Sequence, residues 1–178
     1  MTDTRDLVAR NAEFAARRFA PGLTISPSGN LMVIGCVDPR VDPARVLDIG
    51  HGEAAVIRNV GGRITPTTLR TLAMLGVVGR AHAGTRPPGT WHLVILHHTD
   101  CGITDIAAFP ELLAEYFEVP AEDLPDKHVL DPRRSVRADV GTITATTHAP
   151  DFLVSGLVYD VDTGLVDVVV PETALSTG

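Results

Sequence analysis

The chain has few cysteines, few aromatic residues and little positive charge, and each shortage excludes a class of protein. Only two of its 178 residues are cysteine, too few for a disulfide framework. Aromatic residues make up 4% of the sequence, so the core must consist mainly of Val, Leu, Ile and Ala. The formal net charge of −7 leaves no broad basic surface for a nucleic-acid backbone. We therefore expect no nucleic-acid partner.

The sequence also lacks the patterns of membrane and exported proteins. No apolar run approaches the roughly 20 residues needed to span a bilayer. The first residues do not combine a basic segment with an apolar one. These absences predict a cytoplasmic protein that does not enter a membrane. The length is that of one ordinary domain, and residues 1–178 are predicted to form a single one.

Predicted strands and helices alternate along the chain. Apolar runs predict strands at about 31–36, 53–59, 91–97, 152–161 and 165–170. Helical periodicity predicts helices at 5–19, with Thr4 as N-cap, at 43–48, 66–78 and 132–146, and at 103–116 with a break at Pro110. Such alternation indicates an α/β fold with a mostly parallel sheet and helices on both faces. A turn at Asp162–Thr163–Gly164 predicts a hairpin that adds one antiparallel edge strand.

The two cysteines occur in two short polar segments, each of which follows an apolar run. Cys36-Val37-Asp38-Pro39-Arg40 follows residues 31–34, and His98-Thr99-Asp100-Cys101-Gly102 follows residues 93–96. The carboxyl ends of strands in an open α/β sheet carry functional groups. If the two strands are neighbours, two thiolates, an imidazole and a carboxylate face one another. This set of ligands suits a zinc ion.

The two segments together resemble the zinc motifs of the β-class carbonic anhydrases. Cys36-x-Asp38-x-Arg40 is similar to the first motif, and His98-x-x-Cys101-Gly102, 62 positions further on, to the second. The segment Arg58-Asn59-Val60-Gly61-Gly62 is similar to the Arg-Asn-Ala-Gly that the family places between them. The order, the spacing and the terminal hairpin extend the resemblance over about residues 30–170.

The resemblance implies a strand order, a metal site and a reaction. The order is 2-1-3-4, with the fifth strand antiparallel to the last. One zinc ion per chain is held by Cys36, His98 and Cys101, with Asp38 or water as the fourth ligand. The reaction is the reversible hydration of carbon dioxide to bicarbonate and a proton. Asp38 orients the attacking hydroxide while Arg40 holds it, or closes the site as a ligand when Arg40 lets go.

The resemblance also implies a substrate pocket and an assembly. Val60, Gly61, Gly102 and Ile103 are expected to contact a small uncharged substrate, Gly102 through its backbone N–H. The chain is expected to form a homodimer or a dimer of dimers, with the helix in residues 1–20 packed on a partner. Pro39, His97 and Val60 depart from the family pattern. Carbonyl sulfide or carbon disulfide is therefore an alternative substrate, since relatives hydrolyse these molecules with the same ligands.

Other interpretations of the same residues remain open. The cysteines can be small core residues, the ligands of a catalytically silent zinc closed by Asp38, or a redox pair that forms a reversible disulfide. Strand alternation turns His97 to the face opposite His98, for core packing or a backbone hydrogen bond. Gly61 and Gly62 can make a turn or line the pocket. The remaining histidines lack ligand spacing, and any of them is a candidate proton shuttle: His51, His82, His92, His128 and His148.

Overall fold

The computed structural model describes residues 2–85, 87–146 and 152–175. Five strands are formed: β1 (Leu31–Cys36), β2 (Ala54–Asn59), β3 (Trp91–His98), β4 (Phe152–Tyr159) and β5 (Val166–Ala174). Five α-helices accompany them: α1 (Thr4–Arg17), α2 (Pro43–Val46), α3 (Pro66–Ala81), α4 (Pro110–Phe117) and α5 (Pro132–Thr146). Short 3-10 turns include Pro39–Val41, Val60–Gly62 and Gly102–Ala108.

The strands form one sheet in the order β2-β1-β3-β4-β5. The first four are parallel, and β5 runs antiparallel to β4 at one edge. The predicted strand order is therefore confirmed. In this register Gly35 pairs with Leu96, so the carboxyl ends of β1 and β3 lie side by side. Both polar segments of the sequence begin at this edge.

Apolar side chains cover both faces of the sheet. On one face, residues of α3 and α5 such as Leu72 and Ile143 pack over Ile34 and Ile95. On the other, Val33, Val94 and Leu96 pack against Val46 and neighbouring residues of α2 and its following turn. β1 and β3 are therefore buried from both sides, as a central parallel pair requires. The rigid pair fixes where the segments beyond their ends begin.

Several element ends differ from those predicted. The N-cap of α1 is Asp3 rather than Thr4, because the Asp3 carboxylate accepts the backbone N–H of Asp6 in a capping box. α1 ends at Arg17, α3 continues to Ala81, and β4 ends at Tyr159. β5 continues past Val170 to Ala174 and includes Pro171, a residue that an edge strand tolerates.

The first helix stands apart from the sheet. α1 has no buried residue, and Leu7 and Val8 are both exposed. Its contacts include an edge-to-face pair between Phe14 and His51, with ring centroids 5.6 Å apart. No helix in the described ranges is long and apolar enough to cross a membrane.

Candidate metal centre

Three side chains from the two polar segments meet at the carboxyl ends of β1 and β3. Cys36 Sγ, a ring nitrogen of His98 and Cys101 Sγ all lie within 4.8 Å of one another, and all three residues are buried. The two sulfur atoms are 3.8 Å apart. The predicted ligands, which are 65 residues apart at their extremes, are thus brought together by the β1–β3 pairing.

Arg58 at the end of β2 holds the first segment in place. Its Nε donates to the carbonyl of Cys36 at 2.8 Å, and its Nη2 donates to the carbonyl of Asp38 at 2.7 Å. Two charge-assisted hydrogen bonds from one planar group fix the path of the chain as it leaves the sheet. The direction of the Cys36 side chain is therefore set by the neighbouring strand as well as by β1.

The orientation of His98 leaves one ring nitrogen for a metal. Nδ1 lies 2.8 Å from the carbonyl of Thr99, and since a carbonyl only accepts, Nδ1 carries the proton. Nε2 is buried and has no hydrogen-bond partner within the described residues. An imidazole that donates from one nitrogen and directs the other, unprotonated one into a cluster has the arrangement typical of a metal ligand.

The two thiols differ in acidity, and Cys36 is the one that ionises more readily. The hydrogen bond from Cys101 and the nearby His98 lower the pKa of Cys36 to about 4, against the opposing effect of burial. The charge on Cys36, together with burial, raises the pKa of Cys101. Burial lowers the pKa of His98, but its contact with Cys36 outweighs this and the net shift is upward. A buried negative centre of this kind favours a cation.

The donor set fits zinc in type and in spacing. Zinc prefers tetrahedral sites built from thiolate sulfur and imidazole nitrogen. Two sulfurs bound at about 2.3 Å to one tetrahedral zinc ion lie about 3.8 Å apart, which matches the observed separation of Cys36 Sγ and Cys101 Sγ. Together with the unpartnered Nε2 of His98, this spacing makes the cluster compatible with a metal site.

Asp38 lies outside the three-residue cluster and is held by Arg40. The Nε of Arg40 donates to both carboxylate oxygens, at 3.1 and 3.2 Å, and its Nη2 donates to Oδ2 at 2.7 Å. The backbone N–H of Arg40 donates to Oδ1, so Asp38 also caps the 3-10 turn that begins at Pro39. The hydrogen bonds from Arg40 lower the pKa of Asp38 to about 2. Asp38 therefore stays ionised and turned towards Arg40.

Gly61 and Gly62 form a turn that lies against the cluster. Both have positive φ, at 77° and 67°, a region that favours glycine. A Cβ on Gly61 would lie 2.7 Å from Cδ1 of Ile103, and one on Gly62 would lie 3.0 Å from the backbone nitrogen of Cys36. Both glycines therefore make the predicted turn, and Gly61 also lies at the cavity beside the cluster.

A small cavity opens beside the cluster. It has a volume of about 70 Å³ and places Gly61 and Ile103 of the predicted pocket next to His98 and Cys101. Val60 and Gly102 do not line it, and the carbonyl of Val60 accepts a hydrogen bond from the Tyr116 hydroxyl. The remaining lining residues are Arg63, His97, Asp100, Thr104, Val129, Leu130, Pro132 and Ser135.

A buried cluster of polar and charged residues, two of which also line this cavity, joins the glycine turn and β3 to α5. The Nε of Arg63 donates to the Asp139 carboxylate at 2.7 Å, with both side chains nearly inaccessible. The prediction that His97 faces away from His98 into the core is confirmed. Its Nδ1 lies 2.8 Å from Ser135 Oγ and its Nε2 lies 3.2 Å from Asp139, so its contacts are to side chains of α5 rather than to backbone.

Sequence reasoning missed four residues around the site. Arg58 and Asn59 lay within a recognised motif, but no role was assigned to them. Asn59 accepts the backbone N–H of Arg63 at 2.7 Å and so closes the glycine turn. Asp139 and Asp100 carried no signal, since the sequence does not show which arginine each one meets. Of the candidate proton shuttles, His148 lies outside the described residues.

Comparison with known proteins agrees with this geometry. The sequence profile of a family described as carbonic anhydrase matches residues 31–117. Beta-carbonic anhydrase 1 of Mycobacterium tuberculosis is 33% identical over 177 residues, which cover 96% of this chain and all of that protein. Carbon disulfide hydrolase of an Acidianus species is 30% identical over 108 residues, which cover 61% of this chain and 46% of that protein.

A solved structure shows the same fold along nearly the whole chain. Carbonic anhydrase of Streptococcus mutans is 31% identical and superimposes with a TM-score of 0.68. The match covers 95% of this chain and 98% of that one. The likeness therefore includes the sheet, both polar segments and the terminal hairpin.

Proposed function

Because the chain belongs to the β-class carbonic anhydrase family of lyases, we propose that it catalyses the zinc-dependent, reversible hydration of carbon dioxide to bicarbonate and a proton. One observation carries the proposal. Cys36, His98 and Cys101 converge as a buried group of donors, while Asp38 is held by Arg40 next to them rather than among them. A site that keeps its carboxylate outside the donor group leaves a fourth position for reaction.

Cys36, His98 and Cys101 would hold the zinc ion, one per chain. Bound zinc lowers the pKa of a water molecule and so supplies a nucleophile near neutral pH. Two thiolates cancel the charge of the ion and weaken this effect. The chain must therefore contribute further polar groups, and Asp38 with Arg40 are the groups at hand.

Asp38 would orient the nucleophile, with Arg40 as its support. The carboxylate would accept a hydrogen bond from the attacking oxygen and so direct it towards the substrate carbon. Arg40 keeps Asp38 ionised and keeps it from reaching the metal ligands. Orientation of this kind lowers the entropic part of a barrier. Without Arg40, Asp38 would be a further residue able to hold the metal, and the site would then be closed.

The surroundings of the cluster suit a small uncharged substrate. The cavity of about 70 Å³ has Ile103, Val129 and Leu130 in its wall, side chains that do not repel an apolar molecule. Gly61 leaves room beside Ile103. The Val60 side chain and the Gly102 backbone N–H lie outside this cavity. We propose that they contact the substrate at the entrance of the cavity rather than within it.

Hydrolysis of carbon disulfide or carbonyl sulfide is the second candidate. The observation in its favour is the 30% identity to a carbon disulfide hydrolase over 108 residues. These substrates are also small and uncharged and would use the same ligands. A third possibility is a zinc domain without catalysis in which Asp38 is the permanent fourth ligand.

One experiment separates these candidates. Carbon dioxide hydration is followed by stopped flow from pH 6 to pH 9, and sulfide release from carbonyl sulfide and carbon disulfide is measured on the same zinc-loaded protein. Hydration that increases with pH supports the proposal, because a bound zinc ion would supply its nucleophile only after the water at the site had lost a proton. Sulfide release without hydration favours the second candidate. Zinc-loaded protein that is inactive with every substrate leaves only the silent domain.

Metal content tests the ligand assignment separately. Elemental analysis should find about one zinc ion per chain in wild-type protein, and almost none in Cys101→Ala. Zinc retained in full by the variant would contradict the assignment. A reversible Cys36–Cys101 disulfide in metal-free preparations would instead favour the thiol redox protein.

We further propose that the chain is a cytoplasmic homodimer or dimer of dimers. The support for assembly is α1, whose residues are all at least partly exposed in one chain although its sequence is amphipathic. The two cysteines, present as close thiols, suit a reducing compartment. Sedimentation at micromolar concentration should show a dimer or larger species. A monomer would contradict the assembly.

A further inference from the structure

Asp100 lies between the two ligands of the second segment and faces the first segment. Its Oδ2 accepts from Nη1 of Arg40 at 2.7 Å, and its backbone carbonyl accepts from Nη2 of Arg40 at 2.8 Å. Asp100 has a φ of 52°, the left-handed region, which aspartate and asparagine tolerate better than most residues. One residue thus presents two oxygens to the same guanidinium group.

The hydrogen bonds of Arg40 show why Asp100 matters in addition to Asp38. A guanidinium group has five N–H donors in a fixed plane. One at Nε and one at Nη2 are taken by Asp38, and one at Nη1 and one at Nη2 by Asp100. The Arg40 side chain is about half exposed. Without Asp100 it would keep only the Asp38 contacts, which an exposed, flexible side chain holds weakly.

We propose that Asp100 is a positioning residue that fixes Arg40 against Asp38 and so keeps Asp38 away from the metal ligands. The inference rests on the proposed function, in which Asp38 must be free to orient the nucleophile. It gives the second segment a role beyond supplying His98 and Cys101. The clamp formed by Asp38, Arg40 and Asp100 ties the end of β1 to the end of β3 across the site.

Two possible roles of Asp100, forming the turn and positioning Arg40, predict different effects of Asp100→Asn. If Asp100 served only the turn, Asn at this position would be equivalent, because it adopts the same backbone conformation. If Asp100 positions Arg40, loss of its charge must be felt at Arg40 Nε, an atom that contacts Asp38 and not Asp100. A change at Nε therefore separates positioning from a local effect.

The test compares Asp100→Asn with Asp48→Asn in the zinc-loaded protein. Asp48 is a matched control, since it is exposed, has a φ of 51° and makes no ion pair within the described residues. Exchange of the Arg40 Nε proton with water is measured by NMR, with the signal assigned by its loss in Arg40→Lys. Asp100→Asn should speed this exchange at least about twofold and lower kcat for carbon dioxide hydration about two- to fivefold, the range of an exposed ion pair. KM should not change.

Each outcome decides a separate point. Exchange at Arg40 Nε equal to that of Asp48→Asn overturns the proposal, as does loss of zinc from Asp100→Asn, which would mean a structural role. Faster exchange with an unchanged kcat also overturns it, because the clamp would then not serve the reaction. If wild-type protein hydrates no carbon dioxide, the proposed function fails, and the exchange data alone decide whether Asp100 positions Arg40.

Discussion

Two arginine–carboxylate clusters flank the metal centre, and they differ mainly in their contact with water. The exposed clamp comprises Asp38, Arg40 and Asp100, whose side chains are 14%, 47% and 75% accessible. The buried cluster comprises Arg63, Asp139 and His97, each side chain 3% accessible or less. The same kinds of side chain thus lie near one site in two environments, one exposed to water and the other buried in the protein.

The difference indicates different tasks. An exposed ion pair contributes little to stability and can break and re-form at low cost. A buried pair cannot open without leaving a charge uncompensated. The buried cluster also receives the backbone N–H of Ile64 at Asp139, so it joins the glycine turn to α5. We expect the clamp to govern turnover and the buried cluster to govern folding.

The largest effect is expected from Asp139→Asn, which removes the only carboxylate of the buried cluster formed by Arg63, Asp139 and His97. The Arg63 guanidinium would remain buried with no opposite charge, at a cost of about 3–5 kcal/mol in the free energy of unfolding. Urea denaturation of the zinc-loaded protein measures this value. A loss below about 1 kcal/mol would mean that the buried pair behaves like an exposed one, and the comparison would fail.

The next largest effect is expected from Asp38→Asn, which breaks the exposed side. Loss of an orienting group next to a metal costs about 10- to 100-fold in activity, while zinc content should stay near one per chain. The unfolding free energy should change by less than about 1 kcal/mol, because Arg40, the partner of Asp38, is about half exposed and keeps much of its hydration. Stopped-flow hydration and elemental analysis check this, with Asp48→Asn as the control. Full turnover in the variant would remove Asp38 from the mechanism.

The stability of the buried cluster should depend on pH, because acid protonates the carboxylate of Asp139. Burial raises the pKa of Asp139, but the hydrogen bond from His97 and the charge of Arg63 outweigh this and hold its pKa below the ordinary value. Such a group contributes its full stability above its unfolded pKa of about 3.9 and loses it as the pH falls through the folded pKa. The difference in the free energy of unfolding between wild type and Asp139→Asn should therefore decrease only below about pH 4. Denaturation curves that converge above pH 5 would contradict the lowered pKa.

The smallest effect is expected from Glu118→Gln. Glu118 pairs with Arg70 at 2.8 Å, and both side chains are about half exposed or more. Removal of this charge should lower the unfolding free energy by less than about 1 kcal/mol, measured by the same urea titration. It is the matched surface control for Asp139→Asn. An equal loss in both variants would show that burial is not what distinguishes the two clusters.

The residues that sequence reasoning identified share a local signal. Cys36 and His98 each follow a short apolar run that is typical of a buried strand, and parallel strands end at one edge of a sheet. The ligand cluster could therefore be predicted as soon as the two strands were taken as neighbours. The strand order itself came from the resemblance to a family, since periodicity does not reveal which strands pair.

The residues that were missed depend on distant partners. Arg63 and Asp139 are 76 positions apart, and nothing near either one in the sequence shows that they meet. The end of β5 was predicted too early, because Pro171 is typical of a strand boundary, whereas an edge strand accommodates it. Thr4 was predicted as the N-cap of α1, but Asp3, whose carboxylate is the better acceptor, occupies the position.

Pro171 has a consequence for how the molecule resists aggregation. β5 pairs with β4 along one side only, and a free strand edge can recruit a strand from another molecule. Pro171 has no N–H to offer such a strand, and the exposed carboxylate of Glu172 adds repulsion between like edges. This side of the sheet is therefore protected against the edge-to-edge stacking that leads to fibrils.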